Sequence, residues 1–100
     1  MTESSYVSIR ISLLQAQDRC IARINELVFQ TQPTWDDIVQ GIRLIDEFKA
    51  IHYNALARFV ADPDSFPVDS MAEMLSRSQT ILTEALLSLD ELMQRNRSRP

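Results

Sequence analysis

Glycine, cysteine, histidine, lysine and tryptophan each occur once in these 100 residues. A single glycine is too few for the turns of an all-β protein, for a dinucleotide-binding fold or for a phosphate-cradling loop, which need several. One cysteine excludes an internal disulfide framework, and one cysteine with one histidine leaves a structural zinc site short of ligands. No run approaches the roughly 18 apolar residues of a membrane span. The first residues also lack the basic and apolar regions of a secretory signal. These absences lead us to expect a soluble, cytoplasmic protein of a reducing compartment, with no metal, no cofactor and no membrane contact.

What is present suits one folded domain spanning residues 1–100. The chain is 45% hydrophobic and 24% charged, rich enough in apolar residues for a core and too low in net charge for a disordered chain. Ten basic residues face fourteen acidic ones. Three of the ten, Arg95, Arg97 and Arg99, lie in a basic C-terminal tail over 95–100 and suit the negative end of a helix dipole. The rest of the chain is strongly acidic and repels phosphate, so direct nucleic-acid binding is not expected.

Hydrophobic spacing predicts three helices at about 6–30, 35–61 and 69–95. In the first, Tyr6–Leu13–Cys20–Leu27 and Val7–Leu14–Ile21–Val28 repeat every seven positions, the narrow stripe of a coiled-coil-like helix. Residues 6–12 also partly alternate as a strand would. Thr34 reads as the N-cap of the second helix, with Asp36 and Asp37 in its first turn. That helix carries Trp35, Ile38, Val39, Ile42, Ile45, His52, Leu56, Phe59 and Val60 on one broad face. Gly41 inside it costs about 1 kcal/mol relative to alanine, which points to a close helix–helix approach. Asp62-Pro63-Asp64-Ser65-Phe66-Pro67 is a break. Ser70 and Glu73 then form a capping-box pattern. The third helix repeats Met71, Leu75, Leu82, Ala85, Leu89 and Leu92, with Glu73–Arg77 and Glu91–Arg95 as pairs on its solvent side. Equal lengths and short connections imply an all-α, up-down-up antiparallel three-helix bundle.

One stripe per helix suffices for such a bundle, and this chain has apolar residues to spare. Ile9, Ile11 and Phe29 lie off the first stripe; Leu44, Phe48 and Ile51 off the second; Met74, Ile81 and Leu87 off the third. Leu44/Ile51 and Met74/Ile81 are seven apart and form short second stripes. Exposed apolar patches mark protein contacts, through self-association or through a groove for a partner's amphipathic helix. Trp35, opening a helix beside a proline loop, is either bundle-end packing or an anchor for a partner. The predicted partner-binding residues are therefore Trp35, Leu44, Phe48, Ile51, Met74, Ile81 and Leu87, and a homodimer is expected.

Catalytic chemistry has little to build on. His52 falls in the row Ile38–Ile45–His52–Phe59 and reads as a core histidine. Cys20, in a row with Leu13 and Leu27, reads as a small buried hydrophobe. Asp36-Asp37 is explained by capping and Asp46-Glu47 by a solvated face. In length and helical content the chain resembles the small dimeric chorismate mutases, whose sites bind a dicarboxylate with several Arg and Lys. Arg10, Arg19, Arg23 and Arg43 are present, but that family's closely spaced Arg/Ile-Asp pattern is unmatched and there is one lysine. Such an enzyme, or a purely structural homo-oligomer, is the alternative to a binding protein.

Over Pro33-Thr34-Trp35-Asp36-Asp37-Ile38-Val39 and Ile81-Leu82-Thr83-Glu84-Ala85-Leu86-Leu87-Ser88-Leu89-Asp90-Glu91-Leu92 the chain resembles FliT-type flagellar export chaperones. These are short helical bundles with a Trp-Asp opening to a middle helix and a leucine-rich later helix, and the likeness spans residues 20–95. It implies a non-enzymatic protein that masks the apolar helix of a client. Some members of that family are anti-activators that sequester a transcription regulator. A DNA-binding regulator or a secreted client is thus the expected protein partner.

Overall fold

The computed structural model describes residues 2–97, with side chains from Ser5 onward. It is all-helical: α1 runs Thr2–Phe29, α2 Trp35–Ala61 and α3 Val68–Arg97, with a 3-10 turn at Pro63–Ser65. The strand-like alternation at 6–12 gives way to helix, because Ile9, Leu13, Ala16 and Cys20 bury at helical spacing. Arg95 and Arg97 sit in the last turn of α3, where cations complement the helix dipole. Arg99 lies outside the described residues.

Side-chain contacts fix the helix directions. Arg23, late in α1, reaches Asp37 and Gln40 at the start of α2. Ile9, early in α1, shares a cleft with Ala55 and Arg58 near the end of α2. These two helices therefore run antiparallel. Gln17 bonds Ser78, and Tyr6 and Arg10 line one cleft with Ser70 and Met74, so α1 and α3 run parallel. The result is an up-down-up three-helix rod of 56 × 17 × 16 Å.

Its turns are closed locally. Thr34 Oγ1 accepts from the Asp37 backbone N–H at 3.1 Å, and the Asp37 carboxylate accepts from the Thr34 N–H at 3.0 Å. Both donors would otherwise be orphaned at the start of α2. At the other end of α2, Ser65 bonds the Asp62 carboxylate, and Phe59 meets Phe66 edge to face with centroids 6.1 Å apart. The Ser70–Glu73 capping box is not formed. Helix α3 begins three residues earlier than that pattern requires, at Val68 rather than Met71, and the Pro67 carbonyl accepts from the Met71 N–H.

The core follows one stripe per helix, in registers that differ from expectation in α1 and α2. In α3 the buried residues are Met71, Leu75, Leu82, Ala85, Leu89 and Leu92, as the spacing predicts, with Ser78 among them. In α2, Ile38, Ile45 and His52 are buried with Phe48 and Ala55, whereas Trp35, Val39 and Val60 are exposed. In α1 the row Leu13–Cys20–Leu27 is buried together with Ile9, Ala16 and Ile24, and Val7, Leu14, Ile21 and Val28 are exposed. Gly41 permits a close approach. A Cβ there would lie 3.0 Å from Leu27 Cδ1, 3.5 Å from Leu89 Cδ1 and 3.7 Å from Ile24 Cδ1.

Candidate functional site

Exposed apolar residues concentrate on α1. Val7, Ile11, Leu14, Ile21 and Val28 form a stripe with the four- and three-residue steps of a coiled-coil seam, interrupted by exposed Asp18 and Asn25. Such a stripe arises because α1 carries two heptad rows side by side. One meets α2 and α3, and the other turns outward beside α3.

There it borders two open clefts along the α1/α3 seam. The first, about 270 Å³, is lined by Tyr6, Arg10, Leu14, Gln17, Ser70, Glu73, Met74 and Arg77. The second, about 200 Å³, is lined by Ile21, Ile24, Asn25, Ile81, Glu84, Ala85 and Ser88. Met74 and Ile81 are half-buried against the core and come together with Leu14 and Ile21 on this one face. The remaining predicted contact residues lie elsewhere. Ile51 lines a cleft of about 180 Å³ between α1 and α2, on the opposite flank of α1, and half-buried Leu44 lies one heptad before it. Trp35 is 49% exposed at the start of α2, the end of the rod that also carries Phe29, 86% exposed. Leu87 is 61% exposed.

Phe48 is a correction. It is 0% exposed and belongs to the core, since the buried face of α2 keeps Ile38, Ile45 and His52 but is turned toward Phe48 and Ala55 and away from Trp35, Val39 and Val60. As an interior aromatic it presents nothing to a partner. Leu14 and Ile21, which sequence reasoning placed in the core stripe, take its place on the surface. The signal was present in the sequence: Ile9 and Ala16 supply an alternative inner row, leaving Val7–Leu14–Ile21–Val28 in excess.

Charged groups split between the flanks of α1. On the α2 side, Arg23 donates to Glu26 at 2.8 Å, to Asp37 at 3.1 Å and to Gln40 at 2.9 Å, and Arg19 pairs with Glu47 at 3.2 Å. The backbone hydrogen bond from Thr34, more than Arg23, holds the Asp37 carboxyl below its usual range. On the α3 side, Arg10, Glu73 and Arg77 line the seam without an ion pair, and Glu91–Arg95 is likewise unformed among the described residues. Arg10 is thereby separated from Arg19 and Arg23, which carboxylates already hold, so these arginines do not converge into a box for a dicarboxylate.

Polar groups inside the rod are few. Gln17 Nε2 donates to Ser78 Oγ at 2.6 Å, joining α1 to α3 mid-core. His52 is 2% exposed, its Nδ1 without a partner. Burial lowers its pKa, against a smaller opposing effect from a hydrogen bond with the Gln79 side chain. Burial also raises the Cys20 thiol, which keeps it protonated and inert. Among the described residues no three His, Cys, Asp or Glu side chains gather as a metal site, and no helix is long and apolar enough to cross a membrane. No protein-family model matches the chain, and no match is found among curated proteins or solved structures.

Proposed function

We propose that this protein is a non-enzymatic, cytoplasmic helical regulator, dimeric when free. It binds a protein partner and occupies an apolar helix the partner needs for its own assembly, in the manner of an export chaperone or an anti-activator. The observation that carries this reading is the outward heptad row Val7–Leu14–Ile21–Val28 beside Met74 and Ile81. A helix laid along two parallel helices buries its apolar face in the groove between them, the recognised mode for amphipathic partners. Of the predicted contacts, Met74 and Ile81 belong to this surface. Trp35 and Leu87 are further exposed anchors, and Ile51 and Leu44 form a separate flank. The acidic body favours a basic partner, such as a DNA-binding regulator, by speeding encounter and selecting among partners.

A photo-crosslinking residue in place of Ile21, compared with one in place of exposed Asp46, tests this in cells. The expected outcome is a crosslink from position 21 to a specific protein other than this chain, lost when Leu14→Asp is added. Equal capture from both positions, or capture that survives Leu14→Asp, contradicts the reading.

A further inference from the structure

We infer that a second copy of this chain covers the α1/α3 seam when no client does, related by a two-fold axis along the rod so that α1 of each copy lies on α3 of the other. The inference rests on the reading of the seam as a docking face, and names its occupant in the free protein.

The seam is self-complementary in charge and in the placing of its apolar residues. Along α1 it presents Arg10, Leu14, Asp18 and Ile21; at matching levels α3 presents Glu73, Met74, Arg77 and Ile81. Exchanging the two sides sets Arg10 against the second copy's Glu73 and Asp18 against its Arg77. The same exchange sets Leu14 on Met74 and Ile21 on Ile81. An isologous interface requires this reciprocity, in which residue i meets j and j meets i. Among the described residues none of these four charged side chains has an ion-pair partner, every such pair involving Arg19 or Arg23.

Asp18 interrupts the apolar stripe, and a polar residue at a seam position fixes register at a cost in stability. The dimer is therefore weak enough for a client to displace.

Light scattering and sedimentation of the full chain over a wide dilution range test this. Wild type is expected to pass from dimer to monomer. Asp18→Lys and Arg77→Glu each raise the dimer Kd about tenfold or more, since each reversal acts at two symmetric contacts, and the combined variant returns to within about threefold of wild type. Leu14→Asp, at an exposed position, gives a monomer with unchanged helical circular dichroism. A wild-type chain that is monomeric throughout overturns the inference while leaving capture of a client at position 21 as an independent result. A dimer whose Kd ignores the reversals, or is not rescued by combining them, overturns the assignment of this face.

Discussion

Truncating Phe48 to alanine removes the largest fully buried side chain of the rod. A buried aromatic takes about 200 Å² out of water, worth about 5 kcal/mol at roughly 25 cal/mol per Å². Alanine recovers a small part of that, and the cavity left in a three-helix core only partly collapses, so the expected cost is about 3–5 kcal/mol. Against a total stability of about 5–15 kcal/mol for a domain of this size, the variant sits near its unfolding threshold. Its melting temperature falls by at least about 12 °C. Urea denaturation followed by far-ultraviolet circular dichroism measures this, with Leu87→Ala as the control. Leu87 is 61% exposed, and its truncation stays within about 0.5 kcal/mol of wild type. A Phe48→Ala cost under about 1 kcal/mol refutes the register of α2, and a larger loss at Leu87 refutes that of α3 and with it the placing of the seam.

Other consequences follow from the same packing. Burial lowers the His52 pKa below its ordinary 6.5, so the folded state binds fewer protons than the unfolded one. Stability is full above pH 6.5 and is lost as pH falls through the folded value; denaturation midpoints between pH 7.5 and 5.0 (roughly spanning that window) decline in wild type and flatten in His52→Leu. Gly41→Val forces branched carbons toward Leu27 Cδ1, where even a Cβ would lie at 3.0 Å. It should destabilise by about 1–3 kcal/mol in thermal melts despite gaining helix propensity. Arg23→Met keeps the stem packing and releases Asp37 and Gln40, so amide exchange quickens across residues 30–35 while α3 is unchanged. Equal quickening in α3 contradicts a local clamp.

The sequence carried the architecture well because helix boundaries are written in local chemistry. Thr34 with Asp37 and the prolines at 63 and 67 each act within one turn, and the breaks fall where they place them; the single interior glycine marks a close helix contact instead. The α3 register was equally legible, since only one row there is continuously apolar. Registers in α1 and α2 were not, because each offers two apolar rows of similar length and a one-dimensional pattern does not say which turns inward. Packing decided it: α1 buries the row with the small residues Ala16 and Cys20, which allow helices to approach, and Phe48 is buried in the same core. The same ambiguity hid the seam. Met74 and Ile81 stand out in the sequence as surplus, but the heptad spacing of their neighbours Leu14 and Ile21 assigns those two to the core. The Ser70–Glu73 pattern failed for a different reason: the Pro67 carbonyl takes the N-cap role by accepting from the Met71 N–H, so α3 begins at Val68, three residues before the cap residues would start it.

The central claim is that the outward row of α1 is a docking face and not part of the core. The double variant Leu14→Asp/Ile21→Asp tests it most directly, by measuring helical circular dichroism, light-scattering mass and crosslinked partner on one preparation. The account predicts a fully helical, cooperatively melting monomer that captures no partner. A double variant that loses its helical fold would place the row in the core, and one that folds, dimerises and captures as wild type does would leave the row without a function.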